Sequence, residues 1–277
     1  MIDARTQTAL IGALREAARD QVLPRFRNLG AGEVDTKTGP EDLVTVADRA
    51  AEDQLTRAVG QILPGAHVVG EEAVSDDAAI LDRLSAPGLS VIIDPIDGTA
   101  NYAHGNASFG MILAVAVDGR TEFGVLYDPV CDDWVAASRG GGAWFQRGDQ
   151  RRTLRVRSER DITAQTGYLP IYNFPADRHP KLAALWPQVG RMSNLRCSCH
   201  EYRILLTGHA DFMVAAQSKP WDHAAGMLAL AEAGGDGGAL SGAPYELTDP
   251  GAVLVAGTGP DTRKTIAHML SEALADS

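Results

Sequence analysis

Between Ala107 and Arg157 the chain reads ASFGMILAVAVDGRTEFGVLYDPVCDDWVAASRGGGAWFQRGDQRRTLRVR. Short β-rich runs are split at Asp118-Gly119, Asp128-Pro129 and the three glycines from Gly140 to Gly142. Runs of that length, broken at turn dipeptides, pair with their neighbours in sequence and specify an antiparallel meander. The arginines from Arg147 to Arg160 and the alternation in TLRVRS predict a solvated edge strand that closes the first half.

Helices precede the meander. From Thr8 to Phe26, Leu10, Ile11, Leu14, Ala17, Ala18, Val22, Leu23 and Phe26 recur at three- and four-residue steps, which predicts one amphipathic helix. A Gly-, Thr- and Asp-rich loop over residues 30–40 leads into DLVTVADRAAEDQLTRAVGQILPG, a second helix that stops before Pro64-Gly65. The segments AHVVG and LSVIID read as strands. In the second half QTGYLP and AVLVAG read as strands, HEYRILLTGHADFMVAA as helical, and WDHAAGMLALAEAGG as a helix with a Gly-Gly stop. The expected class is α+β to α/β, with an N-terminal α+β half over residues 1–147 and a C-terminal α/β half over 148–277.

With 277 residues, 45% of them hydrophobic, the chain can bury a large core. Its longest apolar run, Met111 to Val117, is far short of the roughly 20 residues that cross a bilayer. The start is polar and amphipathic without a secretory pattern, so a cytoplasmic location is expected. Cys131, Cys197 and Cys199 form an odd set with no zinc spacing, expected to be reduced and incidental. A net charge of −11 disfavours nucleic acid and acidic membranes as partners. Clustered carboxylates on such a chain attract cations instead.

The clusters stand at element ends. In VIIDPIDGTANYAHG, Asp94 closes an apolar strand and Asp97 follows three residues later. Both Asp-Pro and Asp-Gly are ordinary turn dipeptides. A turn here also puts two carboxylates and the Ile96 carbonyl on one side of the chain, an oxygen set suited to Mg²⁺ or Mn²⁺. Gly98 and Thr99 can present backbone N–H groups to a phosphate. Glu71 and Glu72 follow a strand in AHVVGEE, Asp222 stands where a helix begins in KPWDHAAG, and Asp48 falls in the first turn of the second helix. Taken singly, each acid also reads as a cap or a solvated residue.

Together GEE at Gly70–Glu72, DPIDGTANYAHG at Asp94–Gly105 and WDHAAG at Trp221–Gly226 resemble the signatures of the inositol monophosphatase family of metal-dependent, lithium-sensitive phosphatases. EDLVTVAD and RGGGAWFQRG match segments of that family in the same order. The resemblance implies a layered αβαβα sandwich, a homodimer, a small phosphorylated metabolite as substrate and two or three Mg²⁺ per site. It also implies that Glu71, Asp94 and the Ile96 carbonyl hold one metal, and that Asp94, Asp97 and Asp222 hold another. Thr99 and Asp48 would orient and deprotonate the attacking water. Gly98, Thr99, Asp97 and Asp222 would contact substrate.

Substrate choice departs from the inositol enzymes. Their hydroxyl-binding glutamate, seven residues before the WD aspartate, is Ala215 here. Arg196–Arg203, RCSCHEYR, replaces their small-residue helix start, and Ser198, His200, Glu201 and Arg203 could read another alcohol. Lys37 matches a family lysine near the site. Histidinol phosphate, fructose 1,6-bisphosphate and 3′-phosphoadenosine nucleotides are the alternative substrates that the resemblance implies. A non-catalytic protein binding metal or a phosphorylated ligand is the reading from another class.

Overall fold

A computed structural model describes residues 2–37, 39 and 42–275. Helix α1 (Ala4–Ala17) begins where the Asp3 carboxylate accepts the Thr6 N–H at 2.8 Å, a turn earlier than the periodicity predicts. It runs on through a wider π turn over Ala18–Val22. Strand β1 (Val34–Thr36) lies within the segment expected to be loop and pairs antiparallel with β2 (Leu43–Thr45), which occupies the start of the segment expected to be the second helix. Helix α2 (Val46–Ile62) opens on a capping box: the Thr45 hydroxyl accepts the Ala47 N–H, and the Asp48 carboxylate accepts the Thr45 N–H at 2.8 Å.

Next come β3 (His67–Gly70), α3 (Glu71–Asp76), β4 (Leu89–Asp97) and α4 (Thr99–Ala103). The expected meander follows as β5 (Gly110–Val117), β6 (Arg120–Asp128), β7 (Asp133–Ser138), β8 (Gly142–Arg147) and β9 (Gln150–Leu154). These seven strands, β3 to β9, form one sheet in chain order, parallel only between β3 and β4. Asp118 and Gly119 both take positive φ, the conformation a tight two-residue hairpin needs. Strand β9 is the exposed edge, with Arg151 and Arg152 lying over the rings of Trp144 and Phe145.

A second sheet is built from β10 (Thr166–Tyr168), β11 (Arg191–Ser193), β12 (Phe212–Ala215), β13 (Asp236–Ala239) and β14 (Leu254–Gly257), in the order β11-β10-β12-β14-β13. Its helices are α5 (His179–Ala183), α6 (Ser198–Leu206), α7 (Pro220–Glu232) and α8 (Pro260–Leu274). The segment DFMVAA is therefore a strand, not the tail of a helix. The turn at Gly208 ends α6, and a four-residue strand buried on both faces carries no alternation that would separate it from a helix in sequence. Helix α8, half-buried on one side, was not anticipated.

The layers run α1/α2, the seven-stranded sheet, α6/α7, the five-stranded sheet, then α5/α8, the expected αβαβα sandwich. Three apolar clusters fill the gaps between layers. Helix α7 lies in the middle layer and is apolar nearly all round. It packs so closely that a Cβ on Gly124 of β6 would stand 2.7 Å from Ala225 Cα. Its Glu232 carboxylate accepts the N–H groups of Gly140 and Gly142 at 2.7 and 2.9 Å, clamping the glycine turn to the helix. No helix among the described residues is long and apolar enough to cross a membrane.

Candidate functional site

Strands β3 and β4 are parallel with Gly70 opposite Ile93, so Glu71, where β3 gives way to α3, and Asp94, within β4, stand at the same level. The ladder between β4 and β5 then slips: Asp94 faces Ile112 and Asp97 faces Gly110, a three-residue step against a two-residue one. The extra residue is a bulge that turns both aspartates toward one side. Asp94 also accepts the Ile96 N–H at 3.0 Å, fixing the turn from within. Asp222, in the first turn of α7, completes a group in which one carboxylate oxygen each from Asp94, Asp97 and Asp222 lie within 4.8 Å of one another.

Other elements hold this group in place. Asp97 accepts the Cys199 N–H at 2.5 Å from the N-terminus of α6, and the Cys197 thiol donates to it at 3.2 Å. Both cysteines are buried at the site and are not incidental to its geometry; Cys131 is exposed. The Glu52 carboxylate accepts the Glu72 and Ala73 N–H groups, each at 2.8 Å, beneath Gly70. A Cβ at Gly70 would stand 2.2 Å from that carboxylate, so a larger residue in GEE would have to push Glu52 off the Glu72 and Ala73 N–H groups. Gly98 has φ +88°, and a Cβ there would press on the Ser108 and Arg196 carbonyls at 3.1 and 3.2 Å.

Thr99 Oγ1 stands 3.0 Å from the Ile96 carbonyl and 3.2 Å from Asp48 Oδ1, with one proton to donate between them. The other Asp48 oxygen accepts from the Thr45 N–H and hydroxyl. Lys37 Nζ bridges Glu71 at 3.0 Å and Glu72 at 2.7 Å, while Glu72 Oε2 is buried with no partner among the described residues.

Asp48, Glu71, Asp94, Ile96, Asp97, Gly98, Thr99 and Asp222 gather here. Glu71, Asp97, Gly98, Thr99 and Asp222 line a cavity of about 510 Å³, and Asp48, Asp94 and Ile96 are buried beneath it. Ser198, Glu201 and Ala215 line the same cavity. His200 and Arg203 do not: the imidazole contacts the Phe109 carbonyl at 2.9 Å, and the buried guanidinium binds the Leu126 carbonyl and Asp133. Sequence reasoning named Glu72 beside Glu71 without a role, and missed Glu52 and the Cys197 and Cys199 contacts to Asp97.

Burial, with the neighbouring charges of Glu71, Asp97 and Asp222, pushes the Asp94 carboxyl well above the usual range. Asp97 is pushed up to about 7 by burial and by Asp222. Asp48 also rises to about 7 by burial, against the Thr45 hydrogen bonds. Burial raises Glu71 and Asp222 as well, opposed by Lys37 and by Lys219 respectively. A group of carboxylates that repel one another out of water is relieved by a hard cation. An all-oxygen donor set of this kind fits a divalent ion that prefers oxygen ligands.

Residues 3–275 match the model of the inositol monophosphatase family. The inositol-1-monophosphatase of Bacillus subtilis is 29% identical over 84% of this chain and 85% of its own. The Nus factor SuhB of Pasteurella multocida is 31% identical over 87% of each. Among solved structures, the extragenic suppressor protein suhB of Bartonella henselae superposes with a TM-score of 0.81 at 24% identity, covering 97% of this chain and 99% of that one.

Proposed function

The chain belongs to the inositol monophosphatase family, and from that premise we propose that it hydrolyses a small-molecule phosphomonoester by direct attack of water. The observation that carries this reading is the convergence of Asp94, Asp97 and Asp222 beside the Thr99–Asp48 pair. In this reading Glu71, Asp94, Asp97, Asp222 and the Ile96 carbonyl hold Mg²⁺, with Mn²⁺ as a substitute. Bound there, the ions supply the positive charge that admits a phosphate dianion to an acidic cavity and lowers the pKa of water.

The chain's own groups do the rest. Gly98 and Thr99 N–H groups receive phosphate oxygens. The Thr99 hydroxyl orients the attacking water, and Asp48, with a carboxyl near neutral range, takes the proton that the water releases. The new P–O bond forms in line as the bond to the alcohol oxygen breaks, and the departing alkoxide takes its proton from solvent water. Homodimer assembly, a cytoplasmic location and sensitivity to lithium belong to the same reading.

Relatives named Nus factor SuhB share the fold, so a non-catalytic role is the competing reading. The pairing of Thr99 with Asp48 favours catalysis, because a binding protein has no need of a water-activating pair. Phosphate release with Mg²⁺ from inositol 1-phosphate, histidinol phosphate, fructose 1,6-bisphosphate and 3′-phosphoadenosine 5′-phosphate tests the proposal. One preferred compound, lost in Asp94→Asn, supports it; no release from any of them overturns it.

A further inference from the structure

The three clustered aspartates do not share one element. Asp94 and Asp97 ride on β4, whereas Asp222 arrives on the first turn of α7, so the width of the cluster depends on where that helix is docked. Helix α6 meets it close by. The Tyr202 hydroxyl, on α6, lies 3.2 Å from Nδ1 of His223, the residue after Asp222, and the two rings meet edge to face with centroids 5.9 Å apart. Both side chains are buried, at 1% and 2% exposure. The imidazole also bonds the Gln217 backbone ahead of α7.

The Tyr202 ring also fills a notch in α7, because a Cβ on Gly226 would stand 2.2 Å from it. Helix α6 is itself tied to the metal side: Asp97 accepts the Cys199 N–H one turn before Tyr202. A path of direct contacts therefore runs from Asp97 through α6, Tyr202 and His223 to Asp222. Two apolar residues of the same shapes would fill this space without any polar group to satisfy. A buried polar pair instead admits one arrangement of the two helices, and it stands one residue from Asp222.

Resting on the reading that these acids hold Mg²⁺, we propose that Tyr202 and His223 are positioning residues that fix Asp222 against β4, and that this fixed spacing makes the site discriminate against larger divalent ions. Mg²⁺ demands near-octahedral oxygen geometry at about 2.1 Å, whereas Ca²⁺ accepts looser sets at about 2.3–2.6 Å. Acids that cannot drift apart favour the smaller ion. Groups that orient metal ligands from behind are worth about ten- to a hundredfold in metal affinity.

Titration calorimetry of the metal-free full chain with Mg²⁺ and, separately, with Ca²⁺ tests this without turnover. Tyr202→Phe keeps the ring and removes the hydroxyl. Combining it with His223→Leu removes both polar groups, and the backbone of the exposed Gln217 can turn to water, so the double variant should melt near the wild type. Each variant should weaken Mg²⁺ binding about tenfold and Ca²⁺ binding much less, narrowing the ratio of the two affinities. A merely structural bond would lower the melting point of Tyr202→Phe and leave that ratio alone. An unchanged ratio in both variants overturns the inference while the metal site stands. A wild type that binds no Mg²⁺, or binds it as tightly after Asp94→Asn, overturns the metal reading as well.

Discussion

Thr99 Oγ1 lies 3.2 Å from Asp48 Oδ1 across 51 positions of sequence, and the same hydroxyl lies 3.0 Å from the Ile96 carbonyl. Thr99→Ala should therefore lower kcat by about a hundredfold. Its thermal midpoint should shift by an amount equivalent to only about 1 kcal/mol, the worth of one hydrogen bond. Thr99→Ser should keep most of the activity. Steady-state kinetics beside a melting curve decide the matter; an alanine variant as active as the wild type removes Thr99 from the chemistry.

Asp94 has the opposite balance of function and stability. Replacing it with Asn removes one charge from a buried, self-repelling group, so the metal-free variant should melt higher than the metal-free wild type. Added Mg²⁺ should stabilise the wild type by mass action and the variant much less. Activity should fall on the order of a hundredfold or more. Calorimetry with and without Mg²⁺ reads both effects, and undiminished Mg²⁺ stabilisation of Asp94→Asn would sink its role as a ligand.

Asp211 should make the second sheet acid-sensitive. Its fully buried carboxylate receives Arg157, Arg160 at 2.7 Å and the Thr166 N–H at 2.6 Å. Burial pushes the carboxyl up, but the Arg160, Arg157 and Thr166 hydrogen bonds outweigh it and hold it below the ordinary range. A depressed folded pKa gives stability that is complete above the unfolded value of about 4 and lost as pH falls through the folded value. Asp211→Asn should cost about 3 kcal/mol at neutral pH and flatten the stability profile on the acid side. Urea unfolding at neutral pH and near pH 3 compares the two proteins; parallel profiles would refute the assignment.

Gly98→Ala should damage fold and site together. The positive φ and the flanking carbonyls cost an alanine about 1–2 kcal/mol, and relief of that strain must shift the Gly98 and Thr99 N–H groups. KM for substrate should rise along with the loss of stability. A variant with the wild-type KM and a lowered melting point would confine Gly98 to a structural role.

The candidate site was legible because its residues sit at ends of elements and together resemble the family's motifs. Turn dipeptides betray where β4 stops, and an acid in a first helical turn marks Asp48 and Asp222. What holds those acids was not legible. Lys37 was placed near the site only by the family resemblance, and nothing local in RAAED or RCSCHE says that Glu52 will hold the backbone N–H groups of Glu72 and Ala73 or that the Cys199 N–H will meet Asp97. The meander could be read from its turns because consecutive strands pair with each other. The second sheet could not: β12 lies between β10 and β14, so its partners come from distant sequence. Four residues buried on both faces give a period-2 pattern nothing to alternate with.

The single extra residue between Asp94 and Asp97 has a consequence for motion. Because Asp97 is paired again with Gly110 immediately past the bulge, the acids of DPID ride on a continuous ladder at the centre of the molecule instead of on a free loop. Their spacing can loosen only when that ladder opens. Amide exchange across residues 94–97 and 110–112 should then track whole-molecule unfolding, making the spacing of these acids as durable as the fold itself.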